Sequence, residues 1–173
     1  MTQQKWNSNQ VIDILLRIPM FKGLTLEQIK KIFGICSMLK LKKYDVLCKE
    51  GEESNYIYIL ISGYLNAVLK DGSQLSRISP LWTIGEMGVF TGEKRSVTVV
   101  AESECTLLSI TKTVFFKIIR GDPILGRQVV MNINQYLAYK LRMNQAIIEK
   151  LKTICPDKEY SKIVSQVMKD FDE

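Results

Sequence analysis

Apolar residues recur at helical spacing in residues 9–18, where Val11, Ile14, Leu15 and Ile18 share one face until Pro19 stops the run. Thr25, followed three residues on by Gln28, has the form of a capping box. Leu26, Ile29, Ile32 and Phe33 then mark the buried face of a second helix that ends near Gly34. From about 39 to 110 the period changes. Short β-rich segments are separated by turn residues at Tyr44-Asp45, Gly51, Gly63, Asp71-Gly72, Pro80, Gly85 and Gly92. Asp71-Gly72 between two apolar runs predicts a hairpin. Ile57, Ile59 and Ile61 alternate with Tyr58, Leu60 and Ser62, so that strand is apolar on both faces. Many short strands at this spacing predict a sandwich or barrel of the jelly-roll kind.

Helical spacing returns at 111–119. Asp122 reads as an N-cap with Pro123 in the first helical position, opening a long helix to about 153. That helix carries a seven-residue seam: Val130, Leu137, Asn144 and Leu151 on one set of positions, Ile133, Lys140, Ile147 and Ile154 on the other. A seam held over more than three heptads predicts pairing with a partner helix, and hence a homodimer. Lys140 and Asn144 interrupt it. Either they set register and snorkel to water, or they face a bound ligand at the barrel mouth. Residues 157–171 predict a last helix capped by Asp157, with Ile163, Val164, Val167, Met168 and Phe171 on its apolar side. It packs on its own domain or offers a docking surface to an effector protein. The expected organisation is a domain over 9–153 followed by the appended helix 157–171. Within the domain, helices occupy 9–35, the barrel 39–110 and further helices 111–153. The fold class is α+β, mainly β.

Composition narrows the class. The 173 residues are 46% apolar, which suits one soluble domain with a sizeable core. No apolar run approaches the ~18 residues of a membrane span, and the N-terminus lacks a signal-peptide hydrophobic region, so a cytoplasmic, membrane-free protein is expected. Lys and Arg number 24 against 18 Asp and Glu, a net charge of +6, but they are scattered rather than gathered on one helix. The densest group, Lys40, Lys42 and Lys43, suits the solvent face of a strand. Cys36, Cys48, Cys105 and Cys155 have no C-x-x-C spacing, so free thiols are expected and no metal. Histidine is absent, which removes the commonest general base and metal ligand.

Candidate chemistry concentrates in Ile84 to Ala101, I-G-E-M-G-V-F-T-G-E-K-R-S-V-T-V-V-A. A Gly85-Glu86 pair opens a short turn, and nine residues after Glu86 comes Arg95, followed by Ser96 and a β-branched run. A carboxylate accepts from sugar hydroxyls, and a guanidinium pairs two-pronged with phosphate oxygens. A helical turn over Glu86 to Phe90 would also turn free N–H groups toward phosphate. The alternative for Glu86 and Arg95 is a plain ion pair.

This stretch resembles the phosphate-binding cassette of the cyclic nucleotide-binding domain family, which includes the bacterial catabolite activator and kinase regulatory subunits. Other segments resemble the family in order. I-P-M-F-K-G-L-T at 18–25 is similar to its first helix and turn, E-G-E-E-S-N-Y-I-Y-I-L-I-S-G at 50–63 to its glycine-punctuated strand pair, and A-E-S-E-C-T-L-L-S-I at 101–110 to its closing strands. The resemblance spans roughly 9 to 150 and implies a double-stranded β-helix (jelly-roll) barrel flanked by N-terminal helices and a long C-terminal helix. It implies a receptor for cyclic AMP, less readily cyclic GMP, that needs no further cofactor. By this resemblance Glu86 accepts the ribose 2′-hydroxyl, Arg95 neutralises the cyclic phosphate, and Ser96 adds a hydroxyl or N–H. Gly85 allows close backbone approach, and the Met87 N–H is a further donor. Ile84, Val97 and Leu75 are apolar walls.

Two departures bear on this. Where the family often has Gly-Asp, this chain has Pro80-Leu81-Trp82-Thr83, and Trp82 either plugs the barrel or reshapes its entrance. The residue over the base is Lys140 (or Leu141) by one register and Asn144 (or Gln145) by another. Only about 20 residues follow Thr153, too few for the winged helix-turn-helix of catabolite-activator relatives, so no DNA-binding domain is expected. The rival reading is a scaffold or dimerisation subunit that has this fold without the ligand. An enzyme is not expected, since histidine and clustered metal carboxylates are lacking.

Overall fold

Asn7 and Thr25 start their helices by the same local chemistry. The computed structural model describes residues 7–154 and 161–162. In α1 (Ser8–Arg17) the Asn7 side chain accepts the Gln10 N–H at 2.8 Å, while the Gln10 side chain accepts the Asn7 N–H at 3.0 Å. In α2 (Leu26–Gly34) the anticipated Thr25–Gln28 box closes at 3.2 and 3.0 Å. Each box satisfies two of the N–H groups that a helix start leaves open. The buried side of α1 is Val11, Ile12 and Leu15, so Ile12 takes the place expected of Ile14. In α2 it is Ile29 and Ile32, while Leu26 stays exposed in the first turn. Between them Pro19–Phe21 form a 3-10 turn that buries Met20 and Phe21.

Eight strands follow: β1 (Ser37–Leu41), β2 (Val46–Cys48), β3 (Tyr56–Ser62), β4 (Leu65–Val68), β5 (Gln74–Ile78), β6 (Thr83–Ile84), β7 (Thr98–Ala101) and β8 (Cys105–Thr111). They make two four-stranded antiparallel sheets, β1-β8-β3-β6 and β2-β7-β4-β5, the jelly-roll architecture. Leu60 and Leu107 of the first sheet meet Leu65, Val99 and Ala101 of the second in a core that includes Cys48, Ile84 and Cys105. Central strand β3 is buried on both faces, with Ile57, Ile59, Leu60 and Ile61 all in the interior. Burying each such side chain contributes about 1.5–3 kcal/mol, which explains a strand apolar throughout rather than alternating. The Asp71-Gly72 hairpin joins β4 to β5, with the Leu69 N–H donating to the Ser73 carbonyl at 2.9 Å. The lysine cluster differs from expectation. Lys40 lies on β1, whereas Lys42 and Lys43 follow the strand in a turn closed by the Lys42 N–H on Asp45 at 2.7 Å.

β8 runs directly into α4 (Lys112–Gly121), capped by Thr111. Helix α5 (Pro123–Ile154) opens as its N-cap predicts, with Asp122 Oδ1 accepting the Leu125 N–H at 3.0 Å. The described chain divides into two compact units after Ile133. In the first unit α5 buries Leu125, Gly126, Val129, Asn132 and Ile133. Gly126 lies so close to α4 that a Cβ there would collide with the Ile119 carbonyl. The seam position Ile133 is thus already buried, whereas its neighbour Val130 is 42% exposed. In the second unit Tyr139, Leu141, Met143, Ile147, Ile148, Leu151 and Ile154 are exposed. The expected helix 157–171 and Cys155 lie outside the described residues, Ser161 and Lys162 excepted.

Candidate functional site

Strand β6 pairs Ile84 with Tyr58 on β3, and the chain then leaves the sheet at Gly85. Gly85 has φ 85° and ψ 6°, left-handed geometry that glycine adopts at least cost, and it caps α3 (Glu86–Thr91). This short helix is the turn expected over 86–90. It ends on a second left-handed glycine, Gly92. The chain returns through Lys94, Arg95 and Ser96 to β7. Sequence neighbours of the 84–97 stretch are thereby folded face to face.

Arg95 is the centre of the arrangement. Its backbone is held by the β2–β3 turn, with the Arg95 N–H donating to the Glu52 carbonyl and the Gly51 N–H donating to the Arg95 carbonyl, both at 2.8 Å. Its Nη2 donates to the Tyr56 carbonyl at 2.6 Å, and the guanidinium carbon lies 5.6 Å from the Tyr58 ring centre. Arg95 is only 7% exposed and Glu86 only 6%. Arg95 Nη1 is buried with no hydrogen-bond partner. An unmatched donor on a buried cation is costly, so this group is set to receive an acceptor.

A cavity of about 120 Å³ adjoins it, lined by Ile84 to Gly88 on one side and Glu93 to Val97 on the other, with Cys48, Ser54 and Val99 completing the wall. Of the residues expected at the site, Ile84, Gly85, Glu86, Met87, Arg95, Ser96 and Val97 therefore come together. Ile84 and Val97 also belong to the barrel core, so they serve both wall and fold. Burial pushes the Cys48 thiol and the Tyr58 hydroxyl up from their ordinary values, and the Arg95 charge opposes both shifts.

One expectation is corrected, one open alternative is decided, and one glycine gains a second reason. Leu75 is no wall: it is 56% exposed on β5, the edge strand of its sheet, whose Gln74–Arg77 all face solvent. Trp82 does not plug the barrel, being 37% exposed while its carbonyl accepts the Leu60 N–H at 3.0 Å. Gly85 is required by Arg95 itself, since a Cβ at residue 85 would overlap the guanidinium, with Nη2 at 2.9 Å and Nη1 and Cζ closer. Lys140 and Asn144 are exposed on the α5 segment of the second unit, with Lys140 Nζ 5.5 Å from the Tyr136 ring centre. Sequence reasoning missed Cys48, Ser54, Gly88, Glu93, Lys94 and Val99. The turn containing Ser54 is legible only as a link between strands, because its approach to the cassette is made by non-local hydrogen bonds.

An aromatic group ties the cassette to the helices behind it. Phe90 of α3 packs edge-on against Phe115 and Phe116 of α4, with centroids 5.9 and 5.5 Å away. No group of His, Cys, Asp and Glu suited to a metal ion is present among the described residues, and no described helix is long and apolar enough to cross a membrane.

The family model described as "Cyclic nucleotide-binding domain" matches residues 38–122. A cGMP-dependent protein kinase of Drosophila melanogaster is 29% identical over 94 residues, which are 54% of this chain and 8% of that protein. The cAMP-activated global transcriptional regulator CRP of Salmonella typhimurium is 26% identical over 121 residues, 67% of this chain and 56% of that one. The chain thus spans only part of the length of these relatives. Among solved structures, a cyclic nucleotide-binding domain from Methylobacillus flagellatus has a TM-score of 0.69 at 19% identity, covering 78% of each chain. That likeness is one of fold.

Proposed function

We propose, on the premise that this chain carries a domain of the cyclic nucleotide-binding family at residues 38–122, that it is a receptor module for a cyclic nucleotide. Cyclic AMP is the favoured ligand and cyclic GMP the second. The observation that carries this reading is Arg95 Nη1, a buried donor without a hydrogen-bond partner beside a cavity of about 120 Å³. The single negative charge of a cyclic phosphate supplies its acceptor, and charge-assisted pairs of this kind are the strong ones. Glu86 accepts the ribose 2′-hydroxyl, the Met87 N–H and Ser96 add donors to the phosphate, and Ile84 and Val97 bound the sugar and base. Two relatives that resemble this chain are named for different cyclic nucleotides, so selectivity between the bases is a question for titration.

The output runs through the C-terminal helices. Phe90 links α3 to α4, and the glycine contact at Gly126 links α4 to α5, so a ligand-dependent shift of the cassette helix has a packed route into α5. A ligand biases such a change only through a difference in affinity for two arrangements. The exposed apolar residues of α5 beyond Ile133 favour a homodimer through that helix. They equally favour the second reading, a dimerising scaffold that binds no nucleotide. The module works in the cytoplasm on an effector protein and performs no chemistry of its own. Calorimetric titration with cyclic AMP and cyclic GMP decides between receptor and scaffold. Saturable heat with either supports the receptor, and none with both overturns it.

A further inference from the structure

Arg95 is not the only buried polar group that faces this cavity without a partner. Ser54 is 4% exposed, lines the same cavity, and its Oγ makes no hydrogen bond. It stands in the middle of the turn that grips Arg95. Glu52, two residues before it, accepts the Arg95 N–H, and Tyr56, two residues after it, accepts from Nη2. Across the cavity wall is α3. A Cβ on Gly88 would overlap Ser54 Oγ and come within 2.7 Å of the Ser54 Cβ, so the serine is seated directly against the backbone of the cassette helix.

Close contact with Gly88 demands a small residue at 54, and alanine would meet that demand. The hydroxyl goes beyond it. A buried hydroxyl with no partner is unfavourable, and an apolar group of the same size would relieve the folded protein of it. Two orphaned donors thus line one cavity, Ser54 Oγ from the turn itself and Arg95 Nη1 from the residue that turn holds. We infer that Ser54 is a further binding residue of this site, donating its hydroxyl proton to an oxygen of the same phosphate that Arg95 receives. This rests on the cyclic nucleotide reading of the cavity and adds to it a phosphate contact from the β2–β3 turn. It also makes that turn responsive to ligand, since Ser54 and both backbone anchors of Arg95 lie within six residues, Gly51 to Tyr56.

The test compares wild type with Ser54→Ala by calorimetry, using cyclic AMP and its two phosphorothioate diastereomers, in which sulfur replaces one or the other exocyclic oxygen. Ser54→Ala should weaken cyclic AMP roughly tenfold or more, the effect of one hydrogen bond to a charged group. It should leave the unliganded protein as stable as wild type or slightly more so. The weakening should shrink for one diastereomer and persist for the other, because sulfur is a poor acceptor and Ser54 addresses one oxygen. Unchanged cyclic AMP affinity overturns the inference, as does equal weakening toward all three ligands, which marks an indirect effect through Gly88. A wild type that binds none of them overturns the receptor reading and this inference together. A wild type that binds cyclic AMP only as tightly as Ser54→Ala overturns the inference alone.

Discussion

The guanidinium of Arg95 occupies the volume that any side chain on residue 85 would need, so Gly85 and Arg95 are a matched pair. Gly85→Ala combines two penalties, a left-handed backbone at φ 85° and a collision with Arg95. The backbone alone costs about 1–2 kcal/mol, and displacement of Arg95 adds to it. In an Arg95→Ala background the collision is gone, and only the backbone cost should remain. Chemical denaturation of the two single variants and the double variant checks this, and strict additivity would show that the two residues do not compete for space.

Arg95→Ala should weaken cyclic AMP by about 2–4 kcal/mol, roughly 30- to 1000-fold. Arg95→Lys should not restore it, because a point charge on a flexible stem cannot hold both the Tyr56 carbonyl and a phosphate oxygen. Glu86→Ala should weaken cyclic AMP while hardly affecting the 2′-deoxy analogue. Equal affinity in wild type and Arg95→Ala would remove the cavity as the binding site.

Coupling to the helices should depend on Phe90, whose ring meets Phe115 and Phe116. Saturating cyclic AMP should slow amide exchange both in 85–97 and in 140–154. Phe90→Ala should keep the first effect and lose most of the second. Asn144→Ala and Lys140→Ala should each be compared for loss of protection in α5, and a response in neither would end the expectation that one of them faces the ligand. Protection confined to 85–97 in the wild type would route the output elsewhere.

Leu137→Glu should shift a dimer toward monomer, since Leu137 is a half-buried seam position and charge is costly in an apolar contact. Sedimentation velocity over a range of concentrations reads this directly. A wild type that stays monomeric with and without nucleotide would end the homodimer proposal.

Cys36 supplies a pH dependence. Its Sγ lies 3.2 Å from the Ile32 carbonyl, and burial pushes the thiol up to about 12 from an ordinary value of 9.0. A raised folded value means the unfolded chain ionises first. The stability contribution is complete below pH 9.0 and is lost progressively as pH rises toward about 12. Wild type should therefore lose more stability than Cys36→Ala between about pH 8 and about pH 10.5 in urea denaturation. Parallel losses would mean that the thiol titrates normally in the fold.

Much of this protein is legible in its amino-acid sequence, because the signals are local. The Thr25–Gln28 box, the Asp122-Pro123 start and the Asp71-Gly72 hairpin each need only residues a few positions apart, and each forms as read. Gly85, Glu86, Arg95 and Ser96 are legible for a related reason, since a cassette confined to 84–97 keeps its members within one stretch of chain. What tertiary structure alone decided are the contacts between distant segments. Leu75 reads as an apolar wall, but β5 falls at the edge of its sheet, and no periodicity in the strand itself reveals which strand lies outermost. Ser54 reads as part of a turn, and the hydrogen bonds that Arg95 donates to the Glu52 and Tyr56 carbonyls bring it to the cavity. Gly85 reads as room for a ligand, and only the folded chain shows that its own arginine also needs a glycine there. Local patterns determine which elements form because their free energy comes from neighbours in the chain. The cavity needed the fold, because its walls are buried jointly by two sheets and a turn separated by tens of residues.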